Sequence, residues 1–524
     1  MKTLALLALS CVFWLGCGAD DAPAGAAGSG GLGGAAGAAG SAGAGAGPLS
    51  LAPGEVAEVQ LDSGSLSLEL ATPSGEERFV LVLASLDLGS ATTFYDYAPA
   101  SSAEASASAA LVTGCTLDDA QWKDAPLSSE TPPSATGAVQ PGAQRSVTVP
   151  SPTGPKTITV EALAVGSHAI VWGDVTPAAP AVIEAAVVTE FLTDFEQIIL
   201  PRARAVFGVE SDQDGDGRIG LVFSPITHQT AVAFFSSCDL GVSLGCASSN
   251  QGEYLYLTPP NAIPPPYNTP NAIKEILAHE LSHMIHYHRK VKRNSLLGWN
   301  ESSYSVEGVG ALAQDVLGYQ SGNLYVTMAG LDGIDSFSLA DVTIDGTKYD
   351  PPRDGALRGA SYLFVRWLYD RAGGDLATSA GIESRGGPAL LRTLLDAPES
   401  LTGALPSATG KSAPELAMDF WTTLALSNRD VLGDAAPTNK CFAFLPTMSD
   451  PVTGRQRGAS TFATFHGQQM KGPKLQPLDA ASGKLRSGGA EFLSLDAVPG
   501  APTRAVGLTV DAAAVPRLRV ARVR

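Results

Sequence analysis

The chain has 524 residues, which is long enough for two or three domains with sizeable cores. Only 16% of the residues are charged and 7% are aromatic, whereas 57 glycines and 36 prolines indicate many loops and strands. The formal net charge of -18 argues against nucleic acid as a partner, because phosphate binding requires basic patches, and it suits a solvated extracellular surface.

The N-terminal residues predict export. After a single lysine, an apolar run too short to span a membrane ends at Leu15, as is typical of a secretory signal peptide over residues 1–16. Leu15-Gly16-Cys17 resembles a bacterial lipobox, in which cleavage before Cys17 leaves a thiol for lipid attachment. Trp14 occupies a position that is usually aliphatic, so simple secretion is the alternative.

Residues 17–47 predict a lipid-anchor cysteine followed by a flexible tether. After Asp20-Asp21 this segment is almost wholly Ala, Gly and Ser, which leaves it nothing to bury. A flexible tether of this kind would separate a membrane anchor from a folded body. We therefore expect an extracytoplasmic protein attached to a bacterial membrane through Cys17. The outer membrane is the preferred location, and secretion stays open.

Residues 48–178 predict a β-rich N-terminal domain, because they lack helical periodicity and are rich in Ser, Thr, Ala and Val. Short apolar or alternating runs are expected to form an antiparallel β-sandwich-like domain; these runs are Arg78–Ala84, Arg145–Val149, Thr157–Ala162 and His168–Trp172. His168 is expected to be structural. No catalytic constellation precedes residue 180, so we expect a prodomain-like or packing module here.

A helical stretch over residues 179–207 leads into Asp212-Gln213-Asp214-Gly215-Asp216-Gly217. This spacing resembles the start of a calcium loop, with carboxylates at positions one, three and five and glycine at six. Phe223 stands where a bidentate glutamate should complete such a loop, so a polar turn before a strand is the alternative. Ca²⁺ is therefore a candidate cofactor at Asp212, Asp214 and Asp216.

The chain holds 6 cysteines, two of them in the signal region. Cys238 and Cys246 lie close together on a polar loop, which predicts a local disulfide in an oxidising compartment. Cys115 and Cys441 remain, and whether they pair with each other across domains is left open.

The segment Asn271–Lys290 predicts a helix with one apolar face. His279 and His283 are four residues apart, so both imidazoles project from the same side of that helix, one turn apart. Two such nitrogens can reach one tetrahedral zinc ion, with Glu280 close enough to act on a zinc-bound water. The alternative is a surface helix with two unrelated histidines, which the chain's total of 7 histidines makes a poor explanation.

A zinc ion that activates water keeps three protein ligands, so a third must follow the helix. A metzincin continuation fails, because His286 and Arg289 occupy the places of its glycine and third histidine. His286 lies about 10 Å along the helix from His279, so we expect a supporting or core residue. Of two downstream glutamates, Glu301 sits among turn-formers, whereas Glu307 begins a small-residue helix that can approach the first helix closely. Glu307 is the predicted ligand.

Seven segments together resemble the hyicolysin-type metallopeptidases, which are thermolysin-like zincins of the gluzincin clan. These segments are Glu190–Gly208, Asp214–Ile226, Ala231–Ser236, Tyr254–Thr258, Ala278–Tyr287, Glu307-Gly308 and Gly359–Gly373, and the resemblance fades after about Asn428. It implies zinc endopeptidase activity, with His279, His283 and Glu307 as ligands and Glu280 as the base. The family usually has asparagine before the ligand glutamate, where this chain has Val306.

Two further elements of such a site have candidates. Ala231–Ser236 is the candidate for the edge strand that lines the groove and pairs with substrate backbone. Related peptidases use a tyrosine or histidine to hydrogen-bond the tetrahedral oxyanion, and Tyr362, Tyr349 and His286 stay open for this role.

The predicted fold class is α+β. Residues 179–437 are expected to form a zincin-like metallopeptidase domain, and residues 438–524 a small C-terminal β module. The predicted function is hydrolysis of peptide bonds in protein or peptide substrates through a zinc-activated water, with Zn²⁺ as cofactor. The alternative is a catalytically inactive or non-enzymatic, surface-anchored binding lipoprotein with the same fold.

Overall fold

The computed structural model describes residues 47–61, 64–89, 92–100, 107–177, 180–240, 246, 248–265, 267–294, 301, 303–320, 338–339 and 351–524. The predicted signal peptide, Cys17, the tether and Tyr349 lie outside these residues. The fold is mixed, with several β-sheets and packed helices, in agreement with the predicted α+β class. Within the described ranges, no helix combines the length and the apolar character needed to cross a bilayer.

The strands are β1 Val56–Val59, β2 Ser65–Ala71, β3 Arg78–Ser85, β4 Phe94–Pro99, β5 Ala109–Leu111, β6 Gln144–Val149, β7 Lys156–Val165, β8 Ala169–Asp174, β9 Ile219–Phe223, β10 Ala233–Phe235, β11 Tyr254–Leu257, β12 Asp375–Thr378, β13 Gly381–Ser384, β14 Met448–Ser449, β15 Gln456–Arg457, β16 Thr464–Phe465, β17 Gln468–Gln469, β18 Gln476–Pro477, β19 Gly483–Arg486, β20 Ala490–Asp496, β21 Thr503–Val510 and β22 Pro516–Arg522. The α-helices are α1 Ala185–Asp194, α2 Leu200–Phe207, α3 Ser237–Leu240, α4 Pro270–Asn294, α5 Ser303–Val316, α6 Pro351–Arg371, α7 Gly387–Asp396, α8 Leu405–Thr409 and α9 Ala413–Leu426, and a π-helical turn, Phe195–Ile199, joins α1 to α2.

Strands from both ends of the described chain form one β-sandwich. A six-stranded sheet has the order β18-β20-β3-β22-β1-β5, and a four-stranded sheet has the order β19-β4-β21-β2. β22 lies between β3 and β1 and is antiparallel to both. Alternate apolar residues of the two sheets, such as Leu81, Val520 and Leu508, are fully buried in a common core. The strand pairing thus crosses the predicted boundaries at residues 178 and 437.

A second six-stranded sheet has the order β10-β11-β9-β8-β7-β6. All four predicted strand runs are confirmed, but three of them fall in β6, β7 and β8 of this sheet, so their grouping into one antiparallel sandwich with β3 is wrong. β8 is buried along its whole length and pairs in parallel with β9. The physical reason is the crossover through α1 and α2, which returns the chain in the same direction, as in a βαβ unit.

α5 packs against both α4 and α6. The histidine pair lies on α4, and Glu307 lies on α5. The predicted apolar face of α4 is confirmed, because Ile273, Leu277, Leu281 and Met284 are fully buried. α5 packs closely on α6 at Gly308, where an added Cβ would lie 2.5 Å from the Ser361 hydroxyl oxygen. The predicted close approach to α4 is found at Gly310, where an added Cβ would lie 2.5 Å from His279 Cε1.

Two disulfides connect the described cysteines. Cys238 pairs with Cys246, as predicted, with a Cα–Cα distance of 5.7 Å. Cys115 pairs with Cys441 across 326 residues, with a Cα–Cα distance of 5.4 Å. The second bond links the segment after β5 to the segment after α9 and so holds the sandwich strands against the helices.

Candidate metal centre

The histidine pair lies on α4. This helix begins at Pro270, and the Thr269 hydroxyl accepts a hydrogen bond from the Ala272 N–H at 3.2 Å, which satisfies one amide of the first turn. One turn of helix separates His279 from His283, and their rings are nearly perpendicular, with centroids 4.4 Å apart. Both side chains are buried, because α4 presents this face to α5.

Glu307 on α5 joins the two histidines. Its Oε2 lies 3.4 Å from His279 Nε2, and one ligand atom from each of His279, His283 and Glu307 lies within 4.8 Å of the others. Glu301 is elsewhere: its carboxylate lies 3.0 Å from Lys290 Nζ and 3.5 Å from His286 Nε2. The structure therefore brings Glu307 to the two histidines, whereas Glu301 and His286 lie together at a different position.

α5 supports His279 from three positions on one face. Glu307 faces Nε2, the Gln314 side-chain oxygen lies 3.4 Å from Nδ1, and Gly310 lies under the ring. These positions are i, i+7 and i+3, which share a side of an α-helix. A Cβ at position 310 would lie 2.5–2.7 Å from three ring atoms, so only glycine leaves room for the imidazole.

Glu280 faces the sheet rather than α5. Its Oε2 accepts a hydrogen bond of 3.1 Å from the backbone N–H of Phe235 in β10. β10 is the edge strand of its sheet, which confirms the edge position predicted for Ala231–Ser236, although the strand is shorter. The proposed base therefore lies between the histidine pair and a strand edge.

Burial and charge set the protonation states at this centre. Burial raises the pKa of Glu307, but Arg358 and His279 outweigh it and lower the pKa to about 2. Burial lowers the pKa of His279, but the hydrogen bond and charge of Glu307 raise it above its ordinary value. Burial, followed by the neighbouring His279, holds the pKa of His283 well below its ordinary value. Glu307 and His283 thus favour the forms that bind a cation, whereas a proton competes more strongly with a cation at His279.

Arg358 on α6 is a residue that the sequence pattern did not single out. Its guanidinium contacts the Glu307 carboxylate. Ser361 and Val365, which pack against Gly308 of α5, lie three and seven residues after Arg358 on the same face of α6. No local sequence pattern marks Arg358, because only the packing of α6 on α5 brings it to Glu307.

Two of the candidates for oxyanion binding, Tyr362 and His286, are described, and neither joins the group of His279, His283 and Glu307. Tyr362 is fully buried, and its hydroxyl donates a hydrogen bond of 2.9 Å to Asp315. Asp315 lies eight residues after Glu307, which is about 12 Å along α5. His286 pairs with Glu301 instead. Tyr362 is therefore a core residue.

The aspartate loop is a second group that could hold a cation. Carboxylate oxygens of Asp212, Asp214 and Asp216 lie within 4.8 Å of one another, at the surface between α2 and β9. His168 belongs to neither group; its backbone N–H donates a hydrogen bond of 2.6 Å to Glu196 just before β8. Its structural role is consistent with this position.

No model of a known protein family matches this chain, and no curated protein matches its sequence. The resemblance to hyicolysin-type peptidases therefore stays a prediction. The described residues include a buried group of two imidazoles, His279 and His283, and one carboxylate, Glu307, that can hold a metal ion. The carboxylate of Glu280, the residue after His279, is also buried.

Proposed function

We propose that this protein is a zinc-dependent endopeptidase with a zincin-like catalytic unit, which hydrolyses peptide bonds in extracellular proteins. One observation carries the proposal: His279, His283 and Glu307 converge within 4.8 Å, on two packed helices. Glu280 follows His279 directly and supplies the carboxylate that such a centre needs as a base. Attachment to a bacterial membrane through Cys17 is part of the same proposal.

The donor set supports zinc as the cofactor. Two imidazole nitrogens, one carboxylate oxygen and a fourth position for water are typical of catalytic zinc sites. Ligand atoms at about 2.0–2.1 Å from a tetrahedral ion lie about 3.4 Å from one another. The distance of 3.4 Å between His279 Nε2 and Glu307 Oε2 fits that separation. Calcium and magnesium prefer oxygen ligands throughout, so two imidazoles disfavour them.

In the proposed reaction Glu280 is the general base. Zinc, when bound, supplies Lewis acidity that lowers the pKa of a water toward 7 and polarises the scissile carbonyl. Glu280 removes the proton from the attacking water and returns it to the leaving amine. The Phe235 N–H orients the Glu280 carboxylate, and Gly310 and Gln314 orient His279.

The edge strand supports an extended peptide as substrate. Along a β-strand, the backbone N–H groups of successive residues point to opposite sides. The N–H of Phe235 donates to Glu280, so it points away from the neighbouring strand β11. The outer edge of β10 therefore runs past the proposed base. A substrate that pairs with this edge as an added strand would pass its backbone close to Glu280.

One observation favours the non-enzymatic alternative. The Arg358 guanidinium contacts Glu307, and an arginine can neutralise a buried carboxylate in place of a metal ion. A lipoprotein that kept this ion pair would bind partners with a zincin-like fold and without turnover. The two functions differ in metal content.

The test is metal analysis together with hydrolysis. The chain without its signal peptide should contain one zinc per molecule and should hydrolyse casein, with activity lost on chelation and restored by zinc. His279→Ala should lose the zinc, because two remaining protein ligands bind it poorly. Wild-type protein with no zinc would support the alternative, and zinc without hydrolysis of any peptide would refute the enzyme.

A further inference from the structure

Arg358 lies at the more exposed edge of the metal centre. Its side chain is 17% exposed, whereas the side chain of Glu307, which its guanidinium contacts, is 4% exposed. Burial is the largest influence on the pKa of His279 and of His283, and the positive charge of Arg358 also acts to lower the pKa of both histidines. Arg358 is therefore a cation beside all three proposed ligands, next to solvent.

The packing of α6 on α5 fixes this position. Two arginine–carboxylate pairs join the helices at the same sequence offset of 51 residues, Arg358 with Glu307 and Arg366 with Asp315. Arg366 also pairs with Asp370 at 2.8 Å, and the side chains of this second group are all buried, as is typical of a structural ion pair. Arg358 differs from Arg366, because the carboxylate that it contacts belongs to a proposed metal ligand.

The charge balance at Arg358 changes when a cation binds. The Glu307 carboxylate then shares its negative charge with the cation, so it compensates the guanidinium less. A partly buried positive charge gains from an anion at short range, because the local dielectric constant is low. A guanidinium also presents five N–H donors in a planar fork, which suits oxygen anions. The centre with its cation therefore favours a negatively charged group at Arg358.

The proposed base approaches the centre from a different side. The Glu280 carboxylate faces β10, whereas Arg358 comes from α6, which packs on α5. A scissile carbonyl between them would receive the water oxygen on the side of Glu280 and present its own oxygen to Arg358. As the water oxygen bonds to the carbonyl carbon, Glu280 takes the released proton and the π electrons of the C=O bond move onto the carbonyl oxygen. These electrons return when the C–N bond breaks, and the amine leaves with the proton from Glu280.

We propose that Arg358 is a catalytic residue that donates hydrogen bonds to the scissile carbonyl oxygen while negative charge develops on it. This inference rests on the proposed peptidase function. It assigns the oxyanion role to a residue at the ligand group, which neither Tyr362 nor His286 joins. Cationic donors held in place by helix packing stabilise the tetrahedral anion more than the neutral substrate, so they act on kcat rather than on KM.

Arg358→Ala tests this role in the chain without its signal peptide, with hydrolysis of a peptide measured at saturating zinc. Its kcat should fall by about 10²–10³-fold with little change in KM, because one oxyanion donor is lost. Dilute guanidinium chloride, far below denaturing concentrations, should restore part of kcat. Arg358→Lys keeps the positive charge and so protects folding, and its kcat should lie between those of the wild type and Arg358→Ala.

Two measurements without turnover separate catalysis from support of the metal. Calorimetry of the zinc-loaded protein with a phosphonamidate peptide, whose tetrahedral anion replaces the scissile amide, should show about 10²–10³-fold weaker binding to Arg358→Ala. The zinc affinity of this variant should be unchanged or higher, because a positive charge near the ion is removed. Arg204→Ala is the matched control, since Arg204 is 14% exposed and pairs with Glu210, and it should behave like the wild type in every assay.

Three outcomes would overturn the role of Arg358. One is an active wild type together with unchanged kcat and unchanged phosphonamidate affinity in Arg358→Ala, which refutes this inference alone. Another is zinc affinity at least tenfold weaker with unchanged kcat at saturating zinc, which would show that Arg358 only orients Glu307. The third is a wild type that holds no zinc and hydrolyses no peptide, which refutes the proposed peptidase and this inference together.

Discussion

Replacement of Gly310 by alanine should disable the metal centre while leaving the chain folded. The new Cβ would lie 2.5 Å from Cε1 and 2.6 Å from Nε2 of His279. Contacting carbon atoms prefer separations of about 3.5 Å, so the imidazole must move by about 1 Å. Glu307 and Gln314 face its two nitrogens, so such a movement breaks the ligand geometry.

The expected magnitude follows from this displacement. A misplacement of about 1 Å near reacting groups lowers rates by about 10²-fold, and loss of ligand support lowers metal affinity by about 10- to 100-fold. Overpacking costs about 1–3 kcal/mol, whereas alanine is better than glycine in a helix by about 1 kcal/mol. The free energy of unfolding of the metal-free protein should therefore fall by only about 0–2 kcal/mol.

Gly308→Ala is the matched control. Its Cβ would meet Ser361 at 2.5 Å and Val365 at 2.8 Å, so it strains the α5–α6 contact instead of His279. Zinc competition against a chromophoric chelator and thermal unfolding of the metal-free proteins should be measured for both variants. If Gly310→Ala binds zinc as tightly as the wild type, or both variants lose zinc equally, α5 does not position His279 as described.

Base and ligand should separate on mutation: Glu280→Gln should keep zinc but lose about 10²–10⁴-fold in peptide hydrolysis, whereas Glu307→Gln should weaken zinc binding. Glu301→Gln is the control for both assays. Loss of zinc in this variant would show that Glu301, rather than Glu307, is the third ligand. Zinc affinity should fall as pH decreases through the raised pKa of His279, because zinc must displace a proton there; a pH-independent affinity in competition titrations would contradict this. Cys17→Ala should move the protein from the membrane fraction to the soluble fraction of bacterial cells, and a variant that stays on the membrane would contradict lipid attachment.

The convergence of His279, His283 and Glu307 was largely predictable, because most of the information for it is local. A spacing of four residues places His279 and His283 on one side of any helix, whatever the rest of the chain does. Glu307 could be preferred over Glu301 because Gly308 and Gly310 indicate a helix that packs closely on another. The structure gives these two glycines different neighbours, Ser361 and His279, which the pattern alone could not distinguish.

The remaining parts depend on pairing between distant segments, which local patterns do not encode. Arg358 follows Glu307 by 51 residues, and only the packing of α6 on α5 brings them into contact. Glu253, directly before β11, accepts a hydrogen bond from Gln213 in the aspartate loop, whereas a search along the loop itself ends at Phe223. The strands of β6, β7 and β8 were recognised individually, but their sheet was not, because β8 pairs with a strand beyond two helices.

The position of β22 makes the order of synthesis matter for folding. Until residue 522 is available, β1 and β3 lack the strand that separates them, and both expose unpaired edges. Contacts between such distant segments form slowly, since a long stretch of chain must first be closed into a loop. Arg519 of β22 also forms an ion pair of 2.7 Å with Asp419 of α9, so the last strand contacts the helices as well. A nascent or truncated chain therefore lacks a finished sandwich, and we expect such chains to aggregate or to be degraded rather than to fold into a shorter functional protein.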